Sequence, residues 1–142
     1  MGTAPALLTG VNPKAKRLIE RTAAFADSVL DLVEQLVDCD GARKIKLQLI
    51  DSATSVASNY RAVCRARSRA EFIAKIGLVR EEADESVGWL ETLIRKKYVD
   101  KKLADPILKE ANEITAIMNA SYQTAKRRKN PPPPEPESQI PE

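Results

Sequence analysis

The sequence predicts an all-α protein, an antiparallel up-down-up-down four-helix bundle, and three observations carry that prediction. Apolar residues recur three and four apart along four separate stretches, the period of helices that each bury one face. Five glycines occur, none of them between residues 42 and 76, which suits uninterrupted helix better than strands joined by turns. Aromatic residues make up 4% of the chain, few for strands, which favour them. A length of 142 residues fits a single core.

Residues 1–12 hold Gly, Thr and Pro without a period and are expected to form a flexible leader. Asn12-Pro13 then makes a helix start, a capping side chain followed by a residue whose missing N–H costs nothing there. Leu18, Thr22, Phe25, Val29, Leu32 and Leu36 form the stripe of this first helix, widened by Ile19, Ala26, Val33 and Val37. Asp38-Cys39-Asp40-Gly41 is expected to end it, the glycine taking the left-handed conformation of a helix terminus.

A second helix over residues 42–66 presents Leu49, Ala53, Val56, Tyr60 and Val63, with small residues from Ser52 to Ser58 that permit close packing. Ser68-Arg69-Ala70-Glu71 has the spacing of a capping box. It opens a third helix whose seam is Phe72, Ile76, Val79, Ala83, Ser86, Leu90 and Leu93. Arg95-Lys96-Lys97 then sets cations at the negative end of that helix dipole. The fourth helix starts at Asp100 or at Asp105-Pro106, and Ala104, Ile107, Ala111, Ile114, Met118, Ser121 and Ala125 follow at heptad spacing. Short connections require antiparallel neighbours, so the bundle is expected over residues 13–129. Residues 130–142 hold six prolines and read as an extended, disordered tail that solubilises, more than as a PxxP ligand.

Several functional classes find no support. No stretch approaches the ~18 apolar residues of a membrane span, and no secretory signal pattern opens the chain. Met1-Gly2 begins like a myristoylation site, but Ala6 stands where Ser or Thr is required. Cys39 and Cys64 are expected to be reduced, small apolar side chains in a cytoplasmic protein. The chain has no histidine and no nucleophile or phosphate-loop motif, so neither an enzyme nor a cofactor is expected. Glu82 and Glu85, one helical turn apart, are the spacing from which two-metal bundle sites begin, but the histidine that completes such sites is missing. They are read instead as a structural polar cluster with Asn59 of the second helix, with Arg61 and Arg65 as further partners.

Charge is unevenly placed. Residues 41–67 carry six basic side chains against the single acid Asp51. Arg61, Arg65, Arg67 and Arg69 span the junction of helices two and three, and Lys126, Arg127, Arg128 and Lys129 close helix four. Up-down order brings both groups to one pole, a candidate contact for phosphates. Compensation of helix dipoles explains cations at helix C-termini equally well, and no exposed aromatic is interleaved to stack on bases.

The stretch from Leu49 to Leu93 resembles the family of 23S ribosomal RNA intervening-sequence proteins. The likeness rests on Gln48, the run Ser52-Ala53-Thr54-Ser55-Val56-Ala57-Ser58-Asn59, and Arg65-Ala66-Arg67-Ser68-Arg69-Ala70-Glu71-Phe72. Glu82-Ala83-Asp84-Glu85-Ser86-Val87-Gly88-Trp89-Leu90 and Tyr98 extend it. The resemblance implies a bacterial protein that forms a homopentameric ring of bundles, without enzyme activity. A related branch serves diversity-generating retroelements, where a basic pentamer partners a reverse transcriptase and template RNA. Where the family usually has Asn-Ile-Ala-Glu-Gly, this chain has Asn59-Tyr60-Arg61-Ala62-Val63, so no role of that Glu or Gly carries over and an arginine is gained. The leading expectation is a homo-oligomeric accessory protein that contacts RNA. Tyr60, Phe72 and Trp89 appear as apolar surface beyond the need of one bundle. The alternative is an adaptor that docks a protein partner through the bundle surface or the proline tail.

Overall fold

The computed structural model describes residues 13–127, and these form four helices with no strand among them. Helix α1 spans Pro13–Val33, α2 Asp40–Val63, α3 Arg69–Arg95 and α4 Lys101–Arg127. Consecutive helices pack as neighbours and α1 closes against α4, an all-α bundle of up-down-up-down order. The leader, the Asn12 cap and the proline-rich tail lie outside the described residues.

The helical seams are where the apolar period puts them. Leu49, Ala53, Val56, Tyr60 and Val63 of α2 are buried, as are Phe72, Ile76, Val79, Ala83, Ser86, Leu90 and Leu93 of α3. On α4 only Ile107 of the expected seam stays half-exposed. Each large apolar side chain removed from water in this way contributes about 1.5–3 kcal/mol. Tyr60 and Phe72 are fully enclosed within one chain, so they supply no spare apolar surface for an oligomer. Trp89 alone of the three stays half-buried, its indole N–H donating to Glu85 Oε1 at 3.3 Å.

Small residues set the α2–α3 spacing. The hydroxyls of Ser52 and Ser86 meet in the core at 2.8 Å, and Ser86 donates to the Glu82 carbonyl at 2.9 Å. Both groups are thereby satisfied, which removes the cost of burying them. Between α1 and α4, Arg21 donates from Nε and Nη2 to the two carboxylate oxygens of Glu110, each at 2.7 Å, and from Nη2 to Glu113 at 2.8 Å. The pairing raises the Arg21 pKa, chiefly through the hydrogen bond to Glu110. The site is about one-third exposed, so the bridge contributes up to about 1 kcal/mol.

The helix ends correct the sequence reading in three places. Helix α1 ends at Val33, before Leu36 and Val37, because the chain tightens into a turn with Gln35 N–H on the Leu32 carbonyl at 2.9 Å. Leu36 still reaches the core, whereas Val37 is 47% exposed and donates its N–H to the Tyr98 carbonyl at 2.9 Å. Gly41 therefore does not terminate α1; it lies in the first turn of α2, after the N-cap residue Cys39. A Cβ there would lie 2.6 Å from the Tyr98 hydroxyl, so close approach of that ring is what the position requires.

Asp100 caps α4, its carboxylate accepting from Lys102 N–H at 2.9 Å. Pro106 is contained within the helix and does not start it. Ser68 accepts from Glu71 N–H at 3.1 Å as the capping box requires, but the Glu71 carboxylate accepts from Arg67 N–H at 3.3 Å, one residue before the cap.

Helix α3 ends in a Schellman motif. Tyr98 N–H bonds the Leu93 carbonyl at 2.9 Å and Lys97 N–H bonds that of Ile94 at 3.0 Å. Lys97 sits at the left-handed position of the motif with φ of 59°, where glycine is the usual occupant.

Candidate nucleic-acid interface

Up-down order places the start of α1, the α2–α3 connection and the end of α4 at one pole. Arg69 ties two of these together, donating from Nη2 to the carbonyls of Ala125 at 2.8 Å and Lys126 at 3.3 Å. Those are terminal carbonyls of α4 that have no partner further along the helix. Arg69 was expected to contact nucleic acid. The structure shows it half-buried and engaged as a clasp between α3 and α4. Arg61, Arg65, Arg67, Lys126 and Arg127 are exposed around it, and Arg128 and Lys129 lie outside the described residues.

Three cations of this pole escaped the sequence reading. Lys14, Lys16 and Arg17 open α1, and their signal was the bundle topology rather than local composition. They matter because they run against the helix dipole. Cations at the ends of α2 and α4 offset the negative ends of those dipoles, but no acid lies in the first turn of α1, where an acid would be favoured. The exposed acid nearest this group along α1 is Glu20. On α3, the Glu71 carboxylate accepts from Arg67 N–H at 3.3 Å, and its backbone N–H donates to Ser68 Oγ at 3.1 Å. An aromatic ring stands beside the pole after all: Tyr122 is half-buried, with the Arg80 guanidinium 3.9 Å from its centroid and Lys126 Nζ 5.3 Å away.

The expected polar cluster of Asn59, Glu82 and Glu85 is not assembled. Glu85 is exposed and bonded to Trp89, and among the described residues no hydrogen bond or ion pair joins it to Asn59, Glu82, Arg61 or Arg65. The α2–α3 contact is made by Ser52 and Ser86 instead, which face inward where Glu85 faces out. Glu82 is half-buried, and its pKa is raised by burial and then by the charges of Glu85, Glu81 and Asp51. The side of the bundle between its ends is thus an acidic waist.

Among the described residues no group of three or more His, Cys, Asp or Glu side chains is arranged to hold a metal ion. Burial pushes the Cys64 thiol up to about 11, which keeps it protonated near neutral pH and unsuited to attack. No helix is long and apolar enough to cross a membrane.

Fold and surface together define a small helical-bundle protein whose distinguishing feature is a cationic end. Residues 15–120 match the family described as 23S rRNA-intervening sequence protein, and the chain belongs to that family. It is also similar to the crystal structure of a protein of unknown function from the S23 ribosomal protein family of Bacteroides thetaiotaomicron. That likeness has 29% identity and a TM-score of 0.66, and covers 75% of this chain and 98% of the other. No curated protein matches the chain.

Proposed function

We propose that this protein is a non-enzymatic binding protein, homo-oligomeric, whose basic pole contacts RNA phosphates as an accessory to ribosomal RNA or to a retroelement and its reverse transcriptase. One observation carries the reading. Lys16 and Arg17 open a helix at its N-terminal end, where a cation gains nothing from the dipole, so dipole compensation does not account for them. A polyanion that meets several chain segments at once does. Arg61, Arg65, Arg67, Lys126 and Arg127 complete the surface, and the Arg69 clasp holds their segments in register. The family description, with its reference to 23S rRNA, favours RNA over other polyanions.

The test is fluorescence anisotropy with a short RNA at several salt concentrations, for wild type and for Arg65→Glu combined with Arg67→Glu. The reversal is expected to weaken binding and flatten the salt dependence while circular dichroism stays unchanged. Unaltered affinity in the double variant would overturn the assignment. An adaptor role draws on a different feature, the groove between α1 and α4 where Leu103 stands 48% exposed beside Leu32 and Ile107. Loss of a protein partner on Leu103→Asp, without loss of RNA binding, would favour it.

A further inference from the structure

The opposite end of the bundle carries a second cationic surface. Helix α3 ends there with Arg95 and α4 begins there with Lys101-Lys102, and no acid lies in the first turn of α4. Cations that finish α3 suit its dipole; those that start α4 do not, and the capping carboxylate of Asp100 offsets one of them. Internal pairing neutralises part of this end, since Arg43 is held by Asp38 and Asp40, and Lys101 by Asp105 at 2.6 Å. Lys44, Arg95, Lys96, Lys97 and Lys102 remain exposed, with no ion pair among the described residues.

Two backbone features mark the surface as built. Lys97 occupies a left-handed conformation that glycine would take without strain, so a side chain is kept there at a conformational cost. The turn that carries it is fixed from both sides. Tyr98 N–H reaches back to α3, and the Tyr98 carbonyl accepts from Val37 in the α1–α2 connection. These lysines therefore stand on a rigid turn, pre-organised for an anion.

Between the two ends lies the acidic waist of Asp51, Glu81, Glu82, Asp84 and Glu85, close enough together for three of the others to raise the Glu82 pKa. A polyanion is repelled along the side of such a bundle and attracted at its ends. Helices of 27 residues separate the ends by about 40 Å at 1.5 Å per residue.

We infer that the second pole is a phosphate-binding surface in its own right, and that one bundle bridges two RNA backbone segments about 40 Å apart. This rests on the RNA reading above. The experiment mixes two short RNAs, one with a donor fluorophore and one with an acceptor, and adds the full chain. Energy transfer reports bridging, and anisotropy of a single labelled RNA reports binding. Wild type is expected to give both. Lys96→Glu with Lys102→Glu should lower transfer to the level that the first poles of an oligomer give by themselves, while single-RNA binding persists through the first pole, and should lower the salt slope by about 1.4 units for two lost single-strand contacts. Arg65→Glu with Arg67→Glu should likewise lower transfer and leave residual binding. Lys96→Gln with Lys102→Gln, which adds no new charge, should reproduce the loss if the reversal disturbs folding. If the second-pole variants keep wild-type transfer and salt slope, the bridging proposal falls while the first pole stands. Absence of any salt-sensitive binding by wild type overturns both.

Discussion

Replacing Gly41 by alanine probes the tie between the α1–α2 and α3–α4 connections. The new Cβ would stand 2.6 Å from the Tyr98 hydroxyl and 3.2 Å from two of its ring carbons. The backbone that carries the ring is fixed, bonded at both the Tyr98 N–H and its carbonyl, each at 2.9 Å, so relief has to come from rotation of the side chain. Overpacking of this kind costs about 1–3 kcal/mol, and the better helix propensity of alanine returns up to about 1 kcal/mol. The net expectation is a loss of about 1–2 kcal/mol, or roughly 4 °C in Tm per kcal/mol for a bundle of this size. Tyr98→Phe removes the nearest atom and leaves the ring carbons, so in that background the same glycine change should cost less than about 0.5 kcal/mol, within the range of ordinary surface substitutions. Urea denaturation of the four proteins in a double-mutant cycle measures the coupling, with unchanged m-values as the check on two-state behaviour. Equal costs in both backgrounds, or stabilisation of wild type by alanine, would refute the close-approach account.

Three further expectations follow from the same geometry. Lys97→Gly should stabilise the fold by about 1 kcal/mol, since it relieves a left-handed side chain, and thermal melts would show an upward shift. Glu85→Ala should change stability by less than about 0.5 kcal/mol in urea, as expected for an exposed side chain; a loss of several kcal/mol would restore the buried cluster that the structure lacks. Glu82 has a raised pKa, so its stabilising contribution is present at low pH and is lost as pH rises through its folded value. Glu82→Gln should therefore gain roughly 0.3–0.5 kcal/mol at neutral pH by removing like-charge repulsion, and that gain should vanish under acid conditions, which melts across pH would resolve.

The bundle was legible because its seams are local and periodic: residues such as Val56 or Ile76 are buried by the rows in which they recur. The α1 terminus was not. Leu36 and Val37 continue the apolar stripe past the end of the helix, and Gly41 imitates a helix stop. The true reason for a glycine there is the Tyr98 ring, a contact between remote segments that no local pattern records. Spacing likewise placed Glu82 and Glu85 on one side of α3 without saying which side faced α2. The small residues Ser52 and Ser86 decided that question, and they carry little weight in a hydrophobic pattern. Convergence of the α2 and α4 ends follows from topology alone, whereas Lys14, Lys16 and Arg17 carry no signal along the sequence, where six acids of residues 1–40 outweigh four cations.

RNA contact at the first pole is read out by the salt dependence of affinity. Arg17, Arg61, Arg65, Arg67, Lys126 and Arg127 are exposed at the first pole. Engagement of about five phosphates on a single strand gives a slope near −3.5 in log K against log salt, or roughly a 100-fold loss of affinity between 50 and 200 mM. Wild type is expected to give that steep line, and Arg65→Glu with Arg67→Glu a slope shallower by about 1.4 units. A wild-type affinity that stays flat across the same salt range would contradict it.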